Sequence, residues 1–377
     1  MNSLTIEITD ISAEGEGIGK IDGKVYFVPY ALPGETAEIE VVEDKGRFAK
    51  ARRTDKDTRG LCGGCPLLGL DYAKQLAWKK KHVTDCIERI GKISSPNIAP
   101  VIGTDDPYGY RNKCEFMVGA EKPLCNVYCE DCPIENEQTK AIVRSFRENP
   151  TKNASEFVVR TSKTGEHLAF TIQDSGYVLL YSGKKVIRDY IETDMGKLYV
   201  EVDPYSFYQV NSYQTGRLYS VVQKYADLSG TETVLDLYCG AGTIGLSMAS
   251  GAARVIGVES VKPAVIAANR NAVINGIVNA TFICGKAENA VSEKLQGINA
   301  DVVIVDPPRA GCKPQLLKTV ADIDPKKLIY VSCNPATLAR DLKILAGCGF
   351  KLVEATPVDM FPHTAHVECV VLLSKHG

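Results

Sequence analysis

The 377 residues, 45% of them hydrophobic, suffice for two or three cores, and no apolar run is long enough to suggest a membrane span. The opening Met1-Asn-Ser-Leu-Thr-Ile-Glu-Ile-Thr-Asp10 has neither a basic nor an apolar leader segment, so a cytoplasmic enzyme is expected, and 13 cysteines then read as reduced thiols or metal ligands, not disulfides. Against 46 acidic residues stand 44 basic ones, and the formal charge of -2 argues mildly against a nucleic-acid partner unless cations gather locally.

Leu4 to Arg53 holds short alternating runs, Leu4-Thr-Ile-Glu-Ile8 and Lys24-Val-Tyr-Phe-Val28 among them, separated by Gly15, Gly17, Gly19, Gly23 and Pro33-Gly34. Several short strands with glycine turns predict a small β-barrel over residues 1–57. Its closing run, Lys45-Gly-Arg-Phe-Ala-Lys-Ala-Arg-Arg53, surrounds one aromatic with cations, either to track a nucleic-acid backbone or to guard an exposed strand edge. Glu14-Gly-Glu-Gly-Ile-Gly-Lys20 and Pro29-Tyr-Ala-Leu-Pro-Gly-Glu35 resemble the TRAM domain, a module of RNA-modifying enzymes, and that resemblance implies RNA contact.

Residues 58–200 form the expected central α+β region. It opens with Cys62-Gly-Gly-Cys65-Pro66 and continues through Cys114, Cys125, Cys129 and Cys132-Pro133. Paired C-x-x-C thiols bind soft metals, as one [4Fe-4S] cluster or, alternatively, zinc, with loss of the metal as the third reading. Tyr72 to Ile90 has helical spacing with a basic face that includes Lys79-Lys-Lys-His82, a second local cationic patch. Trp78 on that helix reads as a packing anchor, with stacking on RNA as the alternative. Phe157–Thr161, His167–Ile172 and Gly176–Tyr181 read as antiparallel strands, with His167 an ordinary strand residue.

From residue 201 onward strands alternate with helices, which predicts one doubly wound α/β domain of Rossmann-like type. Val234-Leu-Asp-Leu-Tyr-Cys-Gly-Ala-Gly-Thr-Ile-Gly-Leu246 is an apolar strand, a glycine turn and a helix beginning near Thr243. Gly240 and Gly242 allow close backbone approach to an adenosyl ligand, and Glu259, about twenty positions on, stands where such folds bind ribose hydroxyls. The spacing is not that of a dinucleotide fold. Ala300-Asp-Val-Val-Ile-Val-Asp-Pro-Pro-Arg309 is a buried strand that must end at its prolines, which aims Asp306 into the crevice. Lys327–Val331 runs into Ser332-Cys-Asn-Pro335, and His366-Val-Glu368 precedes the last apolar strand. Cys333 at a strand's carboxyl end is a candidate nucleophile, with Glu368 a candidate base.

Taken in this order, Phe207-Tyr-Gln-Val-Asn211, Asp236-Leu-Tyr-Cys-Gly-Ala-Gly242, Glu259, Asp306-Pro-Pro-Arg309, Ser332-Cys-Asn-Pro335 and His366-Val-Glu368 resemble the S-adenosylmethionine-dependent RNA (uracil-5-)-methyltransferases over nearly the whole chain. The resemblance implies Cys333 as nucleophile, Glu368 as base, and Gln209, Tyr238, Glu259 and Asp306 as residues lining the site. The cysteines and barrel are most similar to the 23S rRNA branch, which implies a cluster and makes 23S rRNA the expected partner, with tRNA or a non-uracil RNA methyl transfer as alternatives. In that branch a further cysteine stands six positions before Cys62, where this chain has Lys56. Cys62, Cys65, Cys129 and Cys132 are the ligand set expected here, with Cys125 as substitute for Cys129. A monomer is expected. An amino-group methyltransferase would need neither Cys333 nor Glu368, and a purely RNA-binding factor has no use for either.

Overall fold

The computed structural model describes residues 3–56, 63–118, 132–205, 207–289 and 297–375. Five strands, β1 (Leu4–Ile11), β2 (Gly17–Ile21), β3 (Lys24–Val28), β4 (Thr36–Asp44) and β5 (Phe48–Arg53), close into a barrel of order β1-β2-β3-β5-β4. Alternation along the strands turns Ile6, Ile8, Tyr26, Val28, Ile39 and Ala49 inward to fill it.

Of the cations in the closing run, Lys45, Arg47, Lys50 and Arg52 stay exposed and Arg53 alone is withdrawn from the surface. Arg53 is buried, donating to Glu35 at 2.5 Å, Asp55 at 2.7 Å and the Tyr30 carbonyl at 3.0 Å, while Arg52 pairs with Glu40 and Lys45 with Glu43. Barrel closure brings Glu40 beside Arg52 and Glu35 beside Arg53, pairings that a linear reading of the run does not reveal.

Helix α1 (Tyr72–Arg89) starts at Asp71, whose side chain accepts the Lys74 N–H. Its apolar face, Val83, Cys86 and Ile87, lies in the same core as the strands of the C-terminal domain. Trp78 anchors the barrel, its indole N–H donating to the Ile11 carbonyl at 3.3 Å. Lys79, expected on a basic face, is instead fully buried and ion-paired with Asp359 at 2.5 Å, so it is unavailable to RNA.

A four-stranded antiparallel sheet, β6 (Lys113–Met117), β7 (Ala154–Thr161), β8 (His167–Gln173) and β9 (Val178–Gly183), is covered by α2 (Glu137–Glu148), whose Phe146 stacks on Phe157 at 3.9 Å. The hairpin β10 (Ile187–Thr193) and β11 (Gly196–Val202) packs its Ile187, Ile191, Leu198 and Val200 with the C-terminal domain.

That domain begins with α3 (Ser212–Ala226) and continues β12 (Thr233–Leu237), α4 (Thr243–Ser247), β13 (Arg254–Glu259), α5 (Lys262–Ile274), β14 (Ala280–Cys284), β15 (Val302–Val305), α6 (Pro314–Ile323), β16 (Lys327–Ser332), α7 (Pro335–Gly347), β17 (Lys351–Val358) and β18 (Glu368–Ser374). The seven strands are ordered β14-β13-β12-β15-β16-β18-β17. Neighbours from β14 to β16 pair parallel, whereas β18 inserts antiparallel between β16 and β17. The order reverses between β12 and β15, which opens a crevice at the carboxyl ends of those strands. Near the sheet edge, Ile98 and Ile102 form parallel bridges to Ala355 and Val358.

Candidate active site

The turn after β16 is specified by its own sequence. Asn334 caps α7, its side chain accepting the N–H groups of Ala336 at 3.0 Å and Thr337 at 3.4 Å, and Pro335 occupies the first helical turn. The Ser332 hydroxyl accepts the Asn334 N–H at 3.1 Å. Cys333 is thereby held, partly exposed, between strand end and helix start.

Glu368 lies 35 positions after Cys333 but at the same end of the sheet. Ser332 pairs with Cys369 in the antiparallel ladder, so the next step of that register sets Cys333 opposite Glu368. Burial pushes the Glu368 carboxyl up to about 8; nearby Asp306 adds to the rise and Arg309 opposes it. Cys333 is pushed up to about 11 by burial, then by Glu368 and Asp306, again against Arg309. Burial raises Asp306 to about 7.

Beside this group, Asp236 at the end of β12 is fully buried and rises to about 8 through burial, with Asp306 and Glu259 contributing. One carboxyl oxygen accepts the Gly245 N–H at 3.0 Å, while the other has no partner among the described residues. Glu259 closes the glycine loop onto β13: it accepts the Gly240 N–H at 3.1 Å and the Val261 N–H at 2.7 Å. Gly242 has φ +76°, and a Cβ there would stand 2.7 Å from the Phe282 ring. Tyr238, at φ +63°, helps line a cavity of about 520 Å³ with Ser260, Lys286, Ala287 and Pro308, a mainly apolar slot at the strand ends.

Gln209 lies between β11 and α3, and its carbonyl accepts the Asn112 side-chain N–H at 2.9 Å. The following Asn211 caps α3 and donates to the Met360 carbonyl at 3.2 Å, which ties this segment to the loop ahead of Glu368. Sequence reasoning assigned no role to Arg309, the cation acting on both Cys333 and Glu368, although its place beside Asp306 was a usable signal. Tyr219 of α3 was also missed: it hydrogen-bonds Thr243 at 2.7 Å and feels Asp306, Asp236 and Glu368, a placement with no local sequence signature.

Of the four expected cluster ligands, Cys65 and Cys132 are described and lie near enough for the Cys65 charge to act on Cys132; burial is the larger cause of the rise of Cys132 to about 12. Cys62 and Cys129, with the substitute Cys125, lie outside the described residues. Among the described residues no group of three or more His, Cys, Asp or Glu side chains gathers as a metal site. No helix among them is long and apolar enough to cross a membrane.

A crevice at a switch point, a glycine loop, and a thiol facing a carboxyl define the class as a nucleotide-cofactor α/β transferase. Residues 182–376 match the tRNA (uracil-5-)-methyltransferase family and residues 3–53 the TRAM domain. The chain is 35% identical to an uncharacterised RNA methyltransferase of Halalkalibacterium halodurans, covering 98% of this chain and 96% of the other. It is also 35% identical to one of Caldanaerobacter subterraneus, covering 98% and 97%. The tRNA (uracil-54, C5)-methyltransferase of Pyrococcus abyssi, solved with S-adenosyl-L-homocysteine, superposes with TM-score 0.76 at 26% identity, covering 98% of this chain and 100% of the other. The chain belongs to the RNA (uracil-5-)-methyltransferase family, with an N-terminal TRAM domain and S-adenosylmethionine as cofactor.

Proposed function

We propose that the protein methylates C5 of a loop uridine in 23S rRNA through covalent catalysis by Cys333 and Glu368. The observation that carries this reading is the β16–β18 register, which sets a thiol and a buried carboxyl opposite each other where the sheet opens. S-adenosylmethionine supplies a methyl group made electrophilic by its sulfonium.

C5 of uracil is a weak carbon nucleophile. The Cys333 thiolate adds to C6 and moves the electron pair of the C5–C6 bond into an enolate, whose C5 would take the methyl group as the methyl–sulfur bond breaks and the neutral thioether leaves. Glu368 removes the C5 proton, the C5–C6 double bond re-forms, and the C6–S bond breaks to return the thiolate. Arg309 favours the thiolate and the ionised base. Asp306 bonds the N3–H and O4 region of the ring and selects uracil over cytosine. Gly240, Gly242 and Tyr238 shape the cofactor pocket, Glu259 meets its ribose and Gln209 lines the site. The unpartnered oxygen of Asp236 and the neighbouring carboxyls suit a cationic ligand. The target base must leave its stack to reach the thiol, so an unpaired loop is the natural substrate.

Cys62, Cys65, Cys129 and Cys132 would hold a [4Fe-4S] cluster, their thiols being the soft donors such a group requires. Iron content of anaerobically purified protein tests this: loss in Cys65→Ser and Cys132→Ser but not in Cys114→Ser supports the ligand set, and iron-free or zinc-loaded wild type refutes the cluster. A tRNA substrate is the second reading, favoured by the match to the Pyrococcus abyssi tRNA enzyme over 98% of this chain, barrel included. Protein mixed with S-adenosylmethionine and 5-fluorouridine-substituted RNA decides, because fluorine at C5 blocks the final proton removal. An adduct at Cys333 with 23S fragments supports the proposal, one with tRNA alone moves the substrate, and none with either sinks the covalent mechanism.

A further inference from the structure

We propose that Gln75, together with the Lys79–Asp359 ion pair, is a positioning device for the base Glu368, binding the cysteine loop and the loop ahead of β18 into one mechanical unit. The inference rests on the thiol-and-base reading above.

Tyr72, Gln75 and Lys79 recur along α1 at the spacing of one helix face. Gln75 is fully buried. Its side-chain amide donates to the Leu70 carbonyl at 2.7 Å and the Leu67 carbonyl at 3.3 Å, two residues of the loop that follows Cys65. The same amide nitrogen meets the His363 Nδ1 at 3.1 Å, and the amide oxygen accepts the His363 N–H at 2.9 Å. The Leu67 N–H completes the bridge by donating to the His363 carbonyl at 2.9 Å. One turn further along α1, the Lys79 ammonium donates to Asp359 at 2.5 Å and to the Phe361 carbonyl at 2.9 Å. The Tyr72 hydroxyl donates to the other Asp359 oxygen at 3.0 Å, and the Tyr110 hydroxyl to the Pro362 carbonyl at 3.1 Å.

The backbone from Phe361 to His363 is thus held at every carbonyl by groups outside its own domain sheet. His363 sits at φ +68°, a left-handed conformation that a residue with a side chain keeps only when its surroundings impose it. Five residues on, Glu368 opens β18 opposite Val358, at the first rung where the ladder meets this loop. Sheet pairing fixes the base on its carboxyl side only; on the other side its position depends on the loop that α1 holds. Proton removal requires the carboxyl within hydrogen-bond reach of the C5 proton, and a misplacement of about 1 Å can cost a hundredfold in rate. A fully hydrogen-bonded buried amide is suited to that task because any other packing leaves donors unsatisfied.

Loss of such a device slows proton removal specifically, after thiol addition and methyl transfer are complete. Gln75→Met and the milder Tyr72→Phe are measured on RNA carrying either ordinary or 5-deuterated uridine. The expected result for Gln75→Met is a fall in kcat of about ten- to hundredfold with kcat/KM for RNA and for S-adenosylmethionine unchanged, KM falling with kcat because the slowed step follows irreversible methyl transfer. It comes with an increased primary deuterium isotope effect and a methylated protein–RNA adduct that survives denaturation. Tyr72→Phe shows the same signature in smaller measure. A wild-type isotope effect with no adduct overturns the proposal, whatever happens to kcat; should Gln75→Met not fold, that result in Tyr72→Phe overturns it alone. Failure of the underlying mechanism is seen separately, as absence of a 5-fluorouridine adduct with the wild-type protein.

Discussion

Replacing Glu368 by Gln removes an ionisable carboxyl while keeping the side chain's shape, and the site geometry assigns that change two opposite effects. The Glu368 charge is among the causes that raise the Cys333 thiol, so its removal eases thiolate formation and leaves addition to C6 intact. Proton removal, however, loses its base, a loss worth about 10²–10⁴ in rate. Covalent methylated adduct should therefore accumulate with ordinary RNA, visible as a retarded band on a denaturing gel, while turnover nearly stops. The wild type adds a pH signature. With the carboxyl at about 8, the ionised fraction, and with it the rate of a step limited by proton removal, grows about fivefold between pH 7 and pH 8 and levels above pH 9. Glu368→Gln turning over at wild-type rate, or losing activity without forming adduct, would refute the assignment of the base.

Lys79→Met leaves Asp359 buried without its cation and should lower unfolding stability by about 3–5 kcal/mol, read from the urea midpoint; the double change Lys79→Met with Asp359→Leu should recover part of it. Asp306 has a folded value of about 7, above its unfolded one, so its contribution is fully present below about pH 4 and is lost as pH rises through 7. Asp306→Asn should flatten that fall in ligand-free protein, measured as Tm against pH, and should slow methylation; unchanged activity would remove its role in base selection. Gly242→Ala places a Cβ 2.7 Å from Phe282 at φ +76°, and the strain of about 1–3 kcal/mol should weaken S-adenosylmethionine binding in calorimetry.

What the sequence determined by itself is local. Asn334 followed by Pro335 is a favoured helix start, so the turn that displays Cys333 was legible, as were the glycine turn after β12 and the strand stop at Asp306-Pro-Pro. The barrel strands and the three strands β7 to β9 showed in their alternation and glycine turns for the same reason. Tertiary structure decided what depends on distant partners. The insertion of β18 beside β16 brings Glu368 to Cys333, and no local pattern states which strand pairs with which. Lys79 looks like a surface cation until Asp359, 280 positions away, arrives beside it, and Arg53 until Glu35 and Asp55 close around it. The hairpin β10–β11 escaped the reading although one face alternates inward, Ile187 and Ile191 with Leu198, Val200 and Val202, because the buried Asp189 interrupts the apolar pattern in the chain. Charge, burial and strand register are properties of neighbours in space, and only folding selects those neighbours.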